Sequence, residues 1–67
     1  IALSDAGVGA TLLKSAMQGA SLNVYINTKS MKDRKRAEEL NQLADSLREE
    51  YEAKADRIFA EVSSRIR

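Results

Sequence analysis

Apolar residues in the second half of this 67-residue chain fall on one regular lattice. Leu40, Ala44, Leu47, Tyr51, Ala55, Ile58, Val62 and Ile66 follow at steps of four, three, four, four, three, four and four. The pattern repeats every eleven residues, or about 3.67 per turn, close to the ~3.6 of a straight α-helix. Such a stripe runs almost straight along one face or drifts into a weak right-handed supercoil. A helix over residues 37–67 built this way needs an apolar partner, so these eight residues are the expected oligomer interface. Phe59 widens the face beside Val62 and Ile66 and makes the tail the expected docking site. Opposite charges one turn apart at Glu50/Lys54, Glu61/Arg65 and Arg48/Glu52 support the same helix. Arg65 and Arg67 suit its C-terminus.

Residues 1–28 follow a different period. Leu3, Ala6, Ala10, Leu13, Met17, Ala20 and Val24 alternate steps of three and four, and Met31 extends the heptad past Asn27. Ser4 followed by Asp5 reads as an N-cap with an acid in the first turn. Small residues recur at four-residue spacing in the pairs Ala6/Ala10, Ser15/Gly19 and Ala16/Ala20, which predicts close helix packing or membrane contact. Only one charge falls within residues 6–28, a length that suits a bilayer. Gln18, Asn23 and Asn27 make the segment weakly apolar. It reads either as a buried helix among like helices or as a span inside an oligomeric channel.

The two patterns do not join in register. Residues 27–30 are the weakest helical stretch, and Ser30 with Asp33 resembles a capping box. A break near residues 27–31 is expected, with one continuous bent helix as the alternative. Three zones result: a small-residue apolar helix over 1–28, a basic hinge over 29–36, and a charged amphipathic helix over 37–67. Their formal charges are zero, +4 and −3. Lys29, Lys32, Arg34, Lys35 and Arg36 are candidates for contact with phosphate or lipid head groups. No aromatic residue interleaves them to stack on bases. In the alternative, Arg34/Glu38 and Lys35/Glu39 pair along a solvated helix turn.

Composition removes other options. Cys, His and Pro are absent and the three glycines all precede residue 20, so disulfides and soft metal sites are excluded and helix is favoured throughout. A chain this short buries little core alone, which leaves oligomerisation or docking into a larger assembly. The fold expected is all-α: two helices, or one long bent helix, packed as an oligomeric bundle or coiled coil within a larger assembly. No nucleophile–base pair can be assembled, and the carboxylates sit on a solvated face with no pocket. The sequence therefore predicts no enzyme, no catalytic residue, no metal, no cofactor and no small-molecule substrate. Ile1 in place of Met suggests a processed or partial chain, and no secretory leader is legible.

The order of these features resembles one family. A small-residue apolar helix leads through Asn23, Tyr25 and Asn27 into a charged helix carrying Ala37, Ala44, Ala53 and Ala55 and the run Ala-Asp-Arg-Ile at 55–58. This is similar to the small internal virion, or DNA-ejection, proteins of short-tailed bacteriophages. The resemblance implies a structural subunit of a helical conduit in the virion or host envelope, with residues 6–28 membrane-active and residues 37–67 oligomerising. The competing expectations are a soluble coiled-coil adaptor or scaffold, a subunit of a helical filament or secretion apparatus, and a nucleic-acid-binding module through residues 29–36.

Overall fold

A computed structural model describes residues 2–67, and its architecture is a single antiparallel helical hairpin. Helix α1 runs Leu3–Lys29 and helix α2 runs Arg34–Ile66. The hairpin measures 51 × 15 × 14 Å, a length that the 33 residues of α2 account for at about 1.5 Å each. The all-α expectation holds, and of its two forms the two-helix one is found.

Local chemistry sets the helix ends. Helix α1 starts earlier than the Ser4 cap predicts: Ala2, with extended backbone and no side-chain cap, precedes it, and the Asp5 amide donates to the Ala2 carbonyl at 3.0 Å. Asp5 still lies in the first turn, where its charge opposes the helix dipole. The capping box is also corrected. Ser30 closes α1, its hydroxyl donating to the Asn27 carbonyl at 3.2 Å, while Asp33 caps α2 by accepting from the Arg36 amide at 3.0 Å. A short carboxylate reaches the third amide of its own helix directly, whereas the expected reciprocal contact works best with a longer Glu.

Arg34 locks the turn. Its Nη1 donates to the carbonyls of Thr28 at 2.8 Å, Met31 at 2.9 Å and Lys29 at 3.3 Å. The last carbonyls of a helix have no partner within it, so one guanidinium supplies donors and a positive charge where α1 ends negatively. Arg34 therefore does not pair with Glu38 as expected. Glu39 likewise pairs with Arg36 at 3.4 Å instead of Lys35. The expected pairs Glu50/Lys54, Glu61/Arg65 and Arg48/Glu52 do form, at 3.3, 2.8 and 3.4 Å.

The seam between the helices is built from small and polar residues. On α1 it follows Gly7, Ala10, Lys14, Met17, Ser21, Val24 or Tyr25, and Thr28; on α2 it follows Ala37, Asn41, Ala44, Arg48, Glu52, Ala55 and Val62. Each contact line is turned from its expected stripe by about half of the ~100° that separates successive residues. The cause is distance of approach. A Cβ on Gly7 would lie 3.1 Å from Val62 Cγ1, and Ala10, Ala37 and Ala55 are buried. Helices close most tightly where their side chains are smallest. The bulkier members of the expected stripes, Leu13 on α1 and Leu47, Tyr51 and Ile58 on α2, then stand to one side of the seam.

Candidate functional site

That displacement gives the hairpin two unlike flanks. The apolar flank is a groove of about 410 Å³ lined by Ala10, Leu13, Met17, Tyr51, Lys54, Ala55 and Ile58. It continues toward the turn past Ala20, Ser21, Val24, Ala44 and Leu47. Lys54 Nζ lies 4.9 Å from the Tyr51 ring centroid, where the ring face attracts the cation. The wide, dry walls of this groove have no covering element among the described residues.

The opposite flank carries the chemistry-bearing side chains. Lys14 Nζ donates to Asp56 Oδ1 at 2.8 Å, joining the two helices. The hydrogen bond from Lys14 to the Asp56 carboxylate, and then the charge of that carboxylate, raise the ammonium pKa above its ordinary range. Nearer the turn, the Tyr25 hydroxyl donates to Asp45 Oδ1. The same hydroxyl, ahead of the Glu52 charge, raises the Arg48 pKa further, against a smaller opposing effect of burial. Arg48 Nη1 donates to Glu52 Oε2 at 3.4 Å. Tyr25, Asp45, Arg48 and Glu52 thus form a cluster of alternating donors and acceptors across the seam.

Two details make this cluster more than a solvated charge row. Glu52 Oε1 is buried and has no hydrogen-bond partner among the described residues. A buried acceptor left unpaired costs about 1–3 kcal/mol, so this oxygen is the unsatisfied group of the cluster. One turn of α1 beyond, Thr28 Oγ1 lies 2.6 Å from the Asn41 side chain and 3.2 Å from the Tyr25 carbonyl. A hydroxyl has one proton to give. The shorter contact takes it: Thr28 Oγ1 donates to Asn41 Oδ1, with the Tyr25 carbonyl as the more distant second acceptor.

The residues singled out from the sequence are distributed as follows. Of the α2 stripe, Ala55 and Val62 are buried in the seam and Leu40 and Ala44 are half-buried, while Leu47, Tyr51, Ile58 and Ile66 are exposed. Of the small residues, Ala10 is buried in the seam and Ala6, Ser15, Ala16, Gly19 and Ala20 face outward. Lys29, Lys32 and Lys35 project from the turn, with Arg34 and Arg36 engaged as above. Among the described residues no helix is long and apolar enough to cross a membrane. No group of three potential metal ligands occurs among them either. The cluster of Tyr25, Asp45, Arg48 and Glu52 was missed from sequence. Its signal is polar residues recurring at seven-residue spacing, Lys14, Ser21 and Thr28 on α1 and Asn41 and Arg48 on α2, where a seam would be expected to be apolar.

A two-helix hairpin with one polar and one apolar flank is a building unit of larger helical folds, and comparison with known proteins places it. Residues 1–46 match the family model described as formiminotransferase-cyclodeaminase. A methenyltetrahydrofolate cyclohydrolase of Methylorubrum extorquens is 38% identical over 64 residues, covering 96% of this chain. The chain belongs to the formiminotransferase-cyclodeaminase family. It spans 31% of the length of that curated relative. No solved structure matches.

Family membership corrects the sequence expectations of function. The order of a small-residue helix and a charged helix is not that of a phage DNA-ejection protein. The virion, conduit and structural-subunit readings fall with it, as does the expectation that the chain has no part in an enzyme or in handling a small molecule. The physical reason for the error is plain. Apolar small-residue helices serve close packing in any helical protein, and the absence of His and Cys excludes only the chemistry that needs them.

Proposed function

We propose that this chain forms part of an enzyme of one-carbon folate chemistry, acting on a methenyl-bridged tetrahydrofolate by addition of water. The observation that carries this reading is the 38% identity to a methenyltetrahydrofolate cyclohydrolase, which extends over both helices and the turn. The substrate carbon in such a reaction bears the positive charge of an amidinium. Water adds to it, one carbon–nitrogen bond opens and a proton is released. Carboxylate or phenol oxygens that orient water and receive the proton can assist that step. The cluster of Tyr25, Asp45 and Glu52 supplies such oxygens, and the buried Glu52 Oε1 is the one left without a hydrogen-bond partner.

The test is a hydrolysis assay on the purified protein with methenyltetrahydrofolate, following loss of the methenyl chromophore against the uncatalysed rate. Acceleration, and its loss in Glu52→Gln with the helical circular dichroism signal retained, supports the assignment. No acceleration by the wild-type protein, together with no saturable binding of the folate, overturns it. Acceleration that survives Glu52→Gln and Asp45→Asn would retain the activity and remove this cluster from it.

A further inference from the structure

The polar flank holds three carboxylates, and the fold treats them unequally. Asp56 accepts from the Lys14 ammonium at 2.8 Å, and Glu52 accepts from the Arg48 guanidinium at 3.4 Å. Asp45 forms no ion pair among the described residues. Its contact across the seam is a neutral one, the Tyr25 hydroxyl donating to Oδ1. Arg48 stands one turn further along α2 but is engaged with Glu52. The side chains Lys14, Tyr25, Asp45, Arg48, Glu52 and Asp56 therefore carry two positive and three negative charges, and the excess negative charge sits on Asp45.

Asp45 is also half-buried. A carboxylate drawn partly out of water without an opposite charge destabilises the fold. The phenol offsets only part of that cost, because it brings a hydrogen bond and no charge. What Tyr25 supplies is direction: rooted on α1, it holds the Asp45 carboxylate at the seam. We infer that Asp45 selects the cationic form of the substrate, recognising the one-carbon unit by its positive charge. This rests on the folate reading above. In a methenyl-bridged tetrahydrofolate the two bridged nitrogens carry no hydrogen, so the amidinium offers a carboxylate no N–H to accept. What sets it apart at that position from the methylene-bridged folate, which is neutral and of nearly the same shape, is its charge. A carboxylate already neutralised by a cation reads that difference weakly, which describes Glu52 and Asp56. An unpaired one reads it fully, which describes Asp45. When water opens the bridge, the formyl product is neutral there and the attraction is lost. Asp45 thus favours substrate over product by a difference of affinities. Because the positive charge disappears on the way to product, the attraction acts on the bound substrate and appears in KM, with no gain in kcat.

The test is steady-state hydrolysis of methenyltetrahydrofolate by the full chain, with methylene-bridged tetrahydrofolate as the neutral competitor. Asp45→Asn removes the charge at nearly constant shape. It should raise KM by about tenfold to hundredfold with kcat nearly unchanged, and leave Ki for the neutral competitor as in the wild type. Asp45→Glu keeps the charge and should recover most of the affinity. An unchanged KM in Asp45→Asn, or equal weakening of the charged and neutral folates, overturns the inference and leaves the folate reading in place. No turnover and no saturable binding by the wild type overturns both. If Asp45→Asn loses its helical circular dichroism signal, the wild-type preference decides. Equal affinity for the two bridged folates then overturns the inference, and a preference for the cation of about tenfold or more supports it.

Discussion

Gly7 and Gly9 sit two residues apart in the same helix and should respond oppositely to alanine. In a helix interior, Gly→Ala gains about 1 kcal/mol from reduced chain entropy. At Gly9 nothing lies within 4 Å of the new methyl, so Gly9→Ala should stabilise by that amount, or about 4–8 °C in Tm for a chain of this size. At Gly7 the methyl would meet Val62 Cγ1 at 3.1 Å and Val62 Cβ at 3.5 Å. Carbon pairs prefer about 3.5–4.0 Å, so Val62 must retreat by several tenths of an ångström. Val62 is only 7% exposed and its χ1 is stiff, so the retreat must come from the helices parting. Overpacking of this kind costs about 1–3 kcal/mol, which offsets the helix gain and leaves Gly7→Ala between neutral and about 2 kcal/mol destabilised. Urea unfolding followed by circular dichroism measures both variants, and Val62→Ala alongside closes a double-mutant cycle. Gly7→Ala in the Val62→Ala background should recover the stabilisation seen at Gly9. Equal stabilisation by Gly7→Ala and Gly9→Ala in the wild-type background would refute a tight α1–α2 contact at this level.

Three further outcomes follow from the seam and turn. Tyr25→Phe removes the donor to Asp45 and the neighbour of Arg48 and should cost about 1–2 kcal/mol. A cycle with Asp45→Asn should show coupling, and strictly additive effects would argue against the bond. Arg34→Ala removes the donor to two α1 carbonyls and one turn carbonyl and should destabilise by about 1–2 kcal/mol, with amide exchange rising first at residues 28–33. Unchanged exchange there would count against the clasp. The Lys14–Asp56 pair raises the folded Lys14 pKa above the ordinary 10.5, so its stabilisation is complete below that pH. It fades as pH rises through the raised folded value. The urea midpoint should therefore fall on the alkaline side, by a small amount since the pair is solvent-exposed, and Asp56→Asn should flatten that fall. An alkaline slope identical in the variant would assign it to other groups.

Much of the architecture is legible in residue order alone. The absence of Pro, the alternation of three- and four-residue steps, and the failure of the two patterns to join near residue 30 point to helix throughout, with a break or a bend near residue 30, because each follows from backbone chemistry within a few residues. The candidate site was not legible in the same way. Tyr25, Asp45, Arg48 and Glu52 are ordinary surface residues in any local reading, and they become a cluster only when residues 20 or more positions apart in sequence are brought face to face.

The sequence by itself thus determined that the helices have apolar faces, and where along the chain those faces lie. Only the tertiary structure decided which line on each helix meets the other. Helix α1 is apolar around most of its circumference, so burial energy is nearly the same for several rotations and cannot choose among them. The choice falls to closest approach at Gly7, Ala10, Ala37 and Ala55 and to the pairing of Lys14 with Asp56 and Tyr25 with Asp45. Those terms exist only between two helices already side by side. They turn most of the large apolar residues of both stripes to one flank.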